Sequence, residues 1–383
     1  MINLKDNFDR KTYQPIILNP RAKDFQSRLL KFLNKKTTII DKIADQLEEL
    51  FLLRNPKYRF IKDYQKDLEL FLKKILKGKD LQKIGYWIYY PWNNYLVHSL
   101  DEKLLFEIRT ARNLYLISKE EQKKFYNARI AIAGLSVGSY AALTITMTGG
   151  SKFLKIADPD EISASNLNRI RTGIHNIGVN KAIAVSRQIY EINPFAKLEV
   201  IPEGINEKNI EKFLLKPKVD LLIEEMDNLY LKIKIREIAK KYKIPVIMAA
   251  DNGDNIIVDI ERFDLKPNYP ILHGLVKFTS NDLKNIPPQE IPKYTAQIAG
   301  ADLATPKMLY SVLEVGKSIY SWTQLGNAAT LCGVILTYLA RKIINREKII
   351  EGRIDFNVDK LLSILPKNYE KERESLLRKL IIN

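Results

Sequence analysis

Arg129-Ile-Ala-Ile-Ala-Gly134-Leu-Ser136-Val-Gly138-Ser139 is the stretch whose reading decides the fold. An apolar run enters a turn of small residues, and a helical pattern follows over Ser139 to Thr148. Free backbone N–H groups at a helix start attract an anion, and glycine lets a phosphate come close to the main chain. Three clusters follow at short intervals: Ala157-Asp158-Pro159-Asp160, Ser165-Asn166-Leu167-Asn168-Arg169 and Gly178-Val-Asn-Lys181. That order suits a nucleotide, with a strand leading to a phosphate turn and later segments supplying ribose and phosphate contacts.

Outward from this stretch, short apolar runs alternate with helical patterns. The runs at Ile130 to Ala133, Leu154 to Ala157, Leu198 to Ile201, Val219 to Ile223 and Ile244 to Met248 read as strands. Ser139 to Thr148, Lys181 to Asn193 and Leu229 to Tyr242 read as the helices between them. This alternation predicts an α/β fold with a doubly wound, mostly parallel sheet and a ligand at the carboxyl ends of its strands. Asn255 to Phe263 reads as a further strand, joined to Met248 through a turn containing Gly253. Residues 266 to 305 are rich in proline and poor in periodicity, an excursion able to cover a site. Gln324 to Ile344 reads as a small-residue helix packed on the sheet.

The flanks differ in kind. Residues 1 to 105 read as a mostly helical accessory region, with apolar residues at helical spacing over Leu29 to Leu33, Ile39 to Leu53 and Tyr64 to Ile75. Tyr86-Trp-Ile-Tyr-Tyr-Pro-Trp92 is an aromatic knot, read as core or docking surface. Residues 106 to 345 form the nucleotide-binding domain, and residues 346 to 383 a basic helical tail.

Residue chemistry assigns the site. Asp158, with Asp160 beside it, closes the second strand about twenty residues beyond the glycine turn, where a carboxylate holds ribose hydroxyls. Asn166 and Arg169 follow, and arginine presents a fixed fork of donors to phosphate oxygens. Lys181 opens the next helix, where an ammonium and a helix terminus both face an anion. A lone arginine or lysine is an ordinary surface residue; the ordered set is what carries the reading.

Taken together, these motifs resemble the ThiF/MoeB/HesA-type E1-like adenylyltransferases, in particular a bacterial subgroup sometimes fused to nitroreductase-like domains. Gly134-Leu-Ser-Val-Gly138, Ser165-Asn-Leu-Asn-Arg169, Gly178-Val-Asn-Lys181 and Glu261-Arg-Phe-Asp264 carry the resemblance. It implies ATP and Mg²⁺ as cofactors, and a substrate carboxylate that attacks the α-phosphorus to leave an acyl adenylate and pyrophosphate. The acceptor implied is the C-terminus of a ubiquitin-like or sulfur-carrier protein, a peptide or a small acid. It also implies a homodimer. In Glu225-Met-Asp227-Asn228 the resemblance makes Asp227 the metal-side carboxylate with Asn228 beside it; the plainer alternative is that Asp227 caps the next helix. Arg112, with Arg109 in reserve, matches the arginine that reaches the nucleotide of the neighbouring subunit. The catalytic set implied is thus Arg169, Lys181, Asp227 and Arg112; Gly134, Ser136, Gly138, Asp158, Asp160, Asn166 and Asn228 hold the nucleotide.

The departures are informative. The glycine turn is one residue shorter than the family's Gly-x-Gly-Gly-x-Gly, with Ser136 in the place of a glycine. The chain has one cysteine, Cys332, so it cannot build the paired-cysteine zinc site of many relatives or an internal disulfide. Residues 266 to 310 hold no cysteine, and Cys332 lies in an apolar helix, so adenylation is expected without an enzyme thioester.

Other classes remain as alternatives. A non-catalytic nucleotide-binding scaffold on the same fold is favoured by the short turn. Gly134-Leu-Ser136-Val-Gly138 also spells the Gly-x-Ser-x-Gly elbow of a serine hydrolase, with Asp251 or Asp254 and His273 as partners. An NAD(P)-dependent dehydrogenase would use Asp158 but leaves Lys181 and Asp227 idle. The charge of +17 would attract nucleic acid, yet basic residues are spread along the chain and no nucleic-acid module is present. No apolar run approaches bilayer length and the start lacks a signal-peptide layout, so a cytoplasmic protein without a membrane partner is expected.

Overall fold

The computed structural model describes residues 8–284, 286–287 and 290–382. Two compact units emerge. One comprises residues up to Gln122 with Met147–Gly149 and Ser186–Ala196, and the other comprises the rest.

The first unit holds a four-stranded sheet among its helices that the helical reading did not include. Besides helices Ile43–Arg54, Gln65–Leu76 and Glu102–Thr110 it holds strands β1 (Ile16–Leu18), β2 (Thr38–Asp41), β3 (Tyr86–Tyr90) and β4 (Tyr95–Ser99), ordered β1-β3-β4-β2. The aromatic knot is β3 itself: tyrosine, tryptophan and isoleucine suit a pleated, half-buried surface, and β3 pairs antiparallel with β4 across a tight turn. The fully buried His98 on β4 is held by Asp41 at 2.9 Å and the Ile84 carbonyl at 2.7 Å, and it stacks on Trp87. Thr38–Asp41, read as the start of a helix, is instead a short edge strand that borrows its register from β4.

The second unit is built on one seven-stranded sheet. Its strands are β5 (Arg129–Ala133), β6 (Phe153–Ala157), β7 (Lys197–Ile201), β8 (Leu221–Glu224), β9 (Val246–Asn252), β10 (Asn255–Glu261) and β11 (Gly352–Phe356). The order is β11-β10-β9-β8-β5-β6-β7. Strands β5 to β9 are mutually parallel, whereas β10 and β11 add antiparallel at one end. The buried runs Ile130–Ala133 and Leu221–Ile223 lack alternation because helices cover both faces. The chain starts at β5, steps one way to β6 and β7, and returns past β5 to β8, so strand order reverses between β5 and β8. In such a sheet that reversal opens a crevice at the carboxyl edge.

Two expectations about the far end of the chain are corrected. The region read as a basic helical tail supplies strand β11 before its helices Val358–Leu361 and Tyr369–Ile382. Its alternating Arg353-Ile-Asp355 was masked by the surrounding charge, and β10 selects it as an edge partner. Gly326–Ile344 is long and apolar enough to cross a membrane, contrary to the expectation that no run is. Half of it is buried inside the second unit, where Ala328, Cys332, Leu336 and Ala340 turn inward.

Behind β8 lies a buried ionic network. Arg236, fully buried, bonds Glu224 through Nη1 and Glu261 through Nε at 2.8 Å, and Lys232 Nζ lies 2.9 Å from Glu224. These paired cations hold the Glu224 carboxyl below the usual range despite its burial. Asp259 is paired with Arg353 and His273 and is likewise held low.

Candidate functional site at the sheet switch point

Gly134 leaves β5 with φ +91°, and a Cβ there would lie 2.3 Å from the Glu225 carbonyl oxygen. The amide of Glu225 donates to the Ala133 carbonyl at 2.7 Å. The glycine turn and the Glu225–Asn228 segment therefore pack back to back where the strand order reverses. Only a residue without a side chain permits that approach in that conformation. The helix begins at Val137, two residues earlier than its pattern suggested, so Gly138 lies in its first turn. Ser136 Oγ is buried and makes no hydrogen bond among the described residues, while its carbonyl accepts from Ser139 Oγ at 2.7 Å.

Asp158 ends β6 almost fully buried. Its Oδ2 accepts from the Leu135 amide at 2.6 Å and its Oδ1 from the Asp160 amide at 2.9 Å. Burial pushes this carboxyl above its ordinary value, against the pull of the Lys181 ammonium 3.8 Å away. Lys181 Nζ lies 2.8 Å from Asp160 Oδ2, whose side chain is exposed. Asn180 fixes this helix start. Its Nδ2 donates to the Asp158 and Pro202 carbonyls at 2.9 and 3.0 Å, and its Oδ1 accepts from the Ala182 amide at 2.9 Å.

The cluster Ala164–Asn168 forms a short 3₁₀ helix. Buried Asn166 closes it by accepting from the Ser163 amide at 3.1 Å, which gives Asn166 a structural job in addition to any ligand contact. Arg169 follows directly. Its Nη1 donates to Asn168 Oδ1 at 3.0 Å and to the Ser165 carbonyl at 3.2 Å, while its Nε is buried without a hydrogen-bond partner. Burial pulls the guanidinium below its ordinary value, against the attraction of Asp251 and Asp227.

After β8, Asp227 and Asn228 are both exposed. Asn228, not Asp227, caps helix Leu229–Lys241, its Oδ1 accepting from the Leu231 amide at 3.0 Å. The cap alternative for Asp227 therefore falls away. Beside them Glu225 turns inward, accepting from the Ala249 amide at 2.8 Å, and burial pushes its carboxyl well up. Among the described residues no group of three or more His, Cys, Asp or Glu side chains could hold a metal ion. Magnesium commonly uses one or two carboxylates plus phosphate oxygens and waters, so an exposed Asp227 at this edge fits that donor set.

Arg112 is exposed in the one-turn helix Ala111–Asn113 of the first unit. The hydrolase alternative lacks its base: His273 Nε2 is 2.8 Å from Asp259 and Nδ1 is 3.0 Å from Tyr269, and Ser136 Oγ bonds to nothing among the described residues. Cys332 is fully buried, its Sγ 3.6 Å from Asp251, and burial raises its thiol well above the ordinary value.

Sequence reasoning passed over three members of this edge. Asn180 was quoted without a role, Asp251 entered only as a hydrolase acid, and Gln324 was only the first residue of a helix. The available signal was position: Asp251 lies near the carboxyl end of β9, beside parallel β8, whose own end leads into Asp227 and Asn228.

The model of the ThiF family matches residues 109–344. The chain is 30% identical over 318 residues to the uncharacterized protein MT1398 of Mycobacterium tuberculosis, covering 82% of this chain and 44% of that one. It is 33% identical over 115 residues to the adenylyltransferase and sulfurtransferase UBA4 of Candida albicans, covering 29% of this chain and 25% of that one. The chain thus spans less than half the length of either relative. Among solved structures, that of E. coli MccB with ATP aligns with a TM-score of 0.47 at 14% identity, over 82% of this chain and 85% of that one.

Proposed function

This chain belongs to the ThiF family, and from that premise we propose that the carboxyl edge of β5, β6 and β8 is an ATP site at which a substrate carboxylate is adenylylated. The observation that carries the reading is the coupling of Asp158 to the glycine turn and to Lys181: the carboxylate is hydrogen-bonded to the turn and ion-paired with the lysine, which hydrogen-bonds Asp160. The adenylyltransferase name of the Candida relative supports the same activity.

In the proposed reaction a carboxylate oxygen attacks the α-phosphorus, the bond to the bridging α–β oxygen breaks, and pyrophosphate leaves with both electrons of that bond. The products are an acyl adenylate and pyrophosphate. The nucleophile is already ionised at neutral pH, so the protein supplies alignment and charge neutralisation instead of a base. Asp158 and Asp160 would hold the ribose, with Asp160 exchanging its contact with Lys181 for the sugar. The turn at Gly134, Ser136 and Gly138 would receive phosphate oxygens, with the unpartnered Ser136 hydroxyl as a donor. Arg169 and Lys181 would neutralise charge that develops on the phosphates. Asp227, beside Asn228, would hold Mg²⁺ together with the nucleotide, and the bound metal would offset phosphate charge. Arg112 would act on the nucleotide of a second copy in a homodimer. The acceptor would be the C-terminus of a ubiquitin-like protein, a peptide or a small acid, with no covalent thioester on the enzyme.

A scaffold that binds ATP without turnover is the second reading, favoured by the short turn, in which the Leu135 amide is already committed to Asp158. Pyrophosphate exchange separates the two. Acceptor-dependent exchange that requires Mg²⁺ and is lost in Arg169→Ala is expected for the enzyme. ATP binding with no exchange across protein, peptide and small-acid acceptors selects the scaffold, and no ATP binding rejects both.

A further inference from the structure

Arg169 is the cation on which the proposed chemistry leans, yet it makes no ion pair among the described residues, although the charges of Asp251 and Asp227 act on it. An arginine near a buried carboxylate would ordinarily be captured by it in a bidentate pair. What prevents capture is visible around Asp251. Its Oδ2 accepts from Gln324 Nε2 at 3.0 Å, and its Oδ1 is approached by Cys332 Sγ at 3.6 Å.

Gln324 is also linked to the arginine through Asn168. Its main-chain carbonyl accepts from Asn168 Nδ2 at 2.8 Å, and Asn168 Oδ1 in turn accepts from Arg169 Nη1 at 3.0 Å. A chain of hydrogen bonds results: Arg169 to Asn168, Asn168 to the Gln324 main chain, and the Gln324 side chain to Asp251, whose charge acts on Arg169. The segment that carries Gln324 is anchored on both sides. Asn327 Nδ2 donates to Asp254 at 2.8 Å, and Gly326 packs so closely beneath Asn168 that a Cβ would lie 2.6 Å from its carbonyl oxygen.

We propose that Gln324 is a positioning residue: by occupying Asp251, its side chain keeps the Arg169 guanidinium out of an internal ion pair and open to a nucleotide phosphate, while its main chain holds Asn168. The inference rests on the assignment of Arg169 to the nucleotide site. It adds that the arginine's availability is set from the segment that enters helix Gly326–Ile344. Glutamine suits the position because its neutral amide donates to Asp251 without offering Arg169 a second carboxylate.

The test is a double-mutant cycle read by ATP binding, with calorimetry on wild type, Arg169→Ala, Gln324→Ala, Asp251→Asn and the double variant Gln324→Ala/Asp251→Asn. Thermal unfolding of each variant confirms the fold. Gln324→Ala is expected to weaken ATP binding about tenfold, because Asp251 is then free to capture Arg169. The double variant should recover most of that loss, since the capturing carboxylate is gone. Mere loosening of the segment would not be rescued by a second substitution. Gln324→Ala binding like wild type, or a loss that Asp251→Asn leaves unrepaired, overturns the positioning role. If Arg169→Ala itself binds ATP like wild type, the site assignment is what fails, and the proposal falls with it.

Discussion

Asp158 Oδ2 accepts a 2.6 Å hydrogen bond from the backbone amide of Leu135, tying the end of β6 to the turn that follows β5. One carboxylate thus sets the shape of a loop twenty-odd residues away. Asp158→Ala leaves that buried amide without its acceptor. We expect about 1–3 kcal/mol lower stability in urea unfolding and loss of ATP binding. Unchanged ATP affinity in a destabilised variant would show that Asp158 shapes the turn without touching the ligand.

Gly134→Ala tests the switch-point packing. The substitution places a Cβ 2.3 Å from the Glu225 carbonyl oxygen at a φ of +91°. A cost of about 2 kcal/mol or more is expected from the strained backbone plus the clash. The midpoint of chemical denaturation checks it, and a variant as stable as wild type would mean that the turn and the Glu225 segment separate easily.

Glu225 makes stability depend on pH with a defined sign. Burial holds its carboxyl well above the ordinary 4.5, so between that value and its folded pKa the native state keeps a proton that the unfolded chain has released. Its contribution is therefore lost as pH rises through that window, with a slope of up to about 1.4 kcal/mol per pH unit. Glu225→Gln removes this slope. Unfolding free energies of the two proteins from pH 5 to pH 8 should converge toward acid and diverge toward alkali, and parallel curves would count against the burial argument.

Arg236→Met probes the network behind β8. Removing the guanidinium leaves fully buried Glu224 with Lys232 as its remaining cation and fully buried Glu261 with the Leu272 amide and no ion-pair partner among the described residues. Breaking a buried pair from one side typically costs about 3–5 kcal/mol. A fall of that size in denaturant unfolding is expected. Adding Glu261→Gln to the variant should recover part of it, because one stranded charge is then neutral.

Much of the second unit was legible because its signals are local. The strands β5 to β9 and the helices between them are short periodic runs bounded by turn residues, and periodicity survives without knowledge of neighbours. Most of their ends moved by a residue or two, as at Val137, where the first helical turn begins inside the glycine turn, while β9 runs four residues past Met248 to Asn252. The sheet of the first unit was not legible. Three-residue β1 and four-residue β2 carry too little pattern of their own and exist by pairing with β3 and β4. Strand β11 is the same case, an edge that only β10 defines.

By itself the sequence determined the alternation of strands and helices, and with it the parallel sheet whose carboxyl edge bears Gly134, Asp158, Arg169, Lys181 and Asp227. These follow from periodicity and from residue types at short spacing. Only the tertiary structure decided that Asp158 clamps Leu135, that Asn228 and not Asp227 caps its helix, and that Gln324 bridges Asp251 to Asn168, the hydrogen-bond partner of Arg169. Residues 169, 251 and 324 are far apart along the chain, and no local preference links them. Their juxtaposition depends on which strands become neighbours and on where the long excursion returns, and both are settled by burying apolar faces against partners distant in sequence.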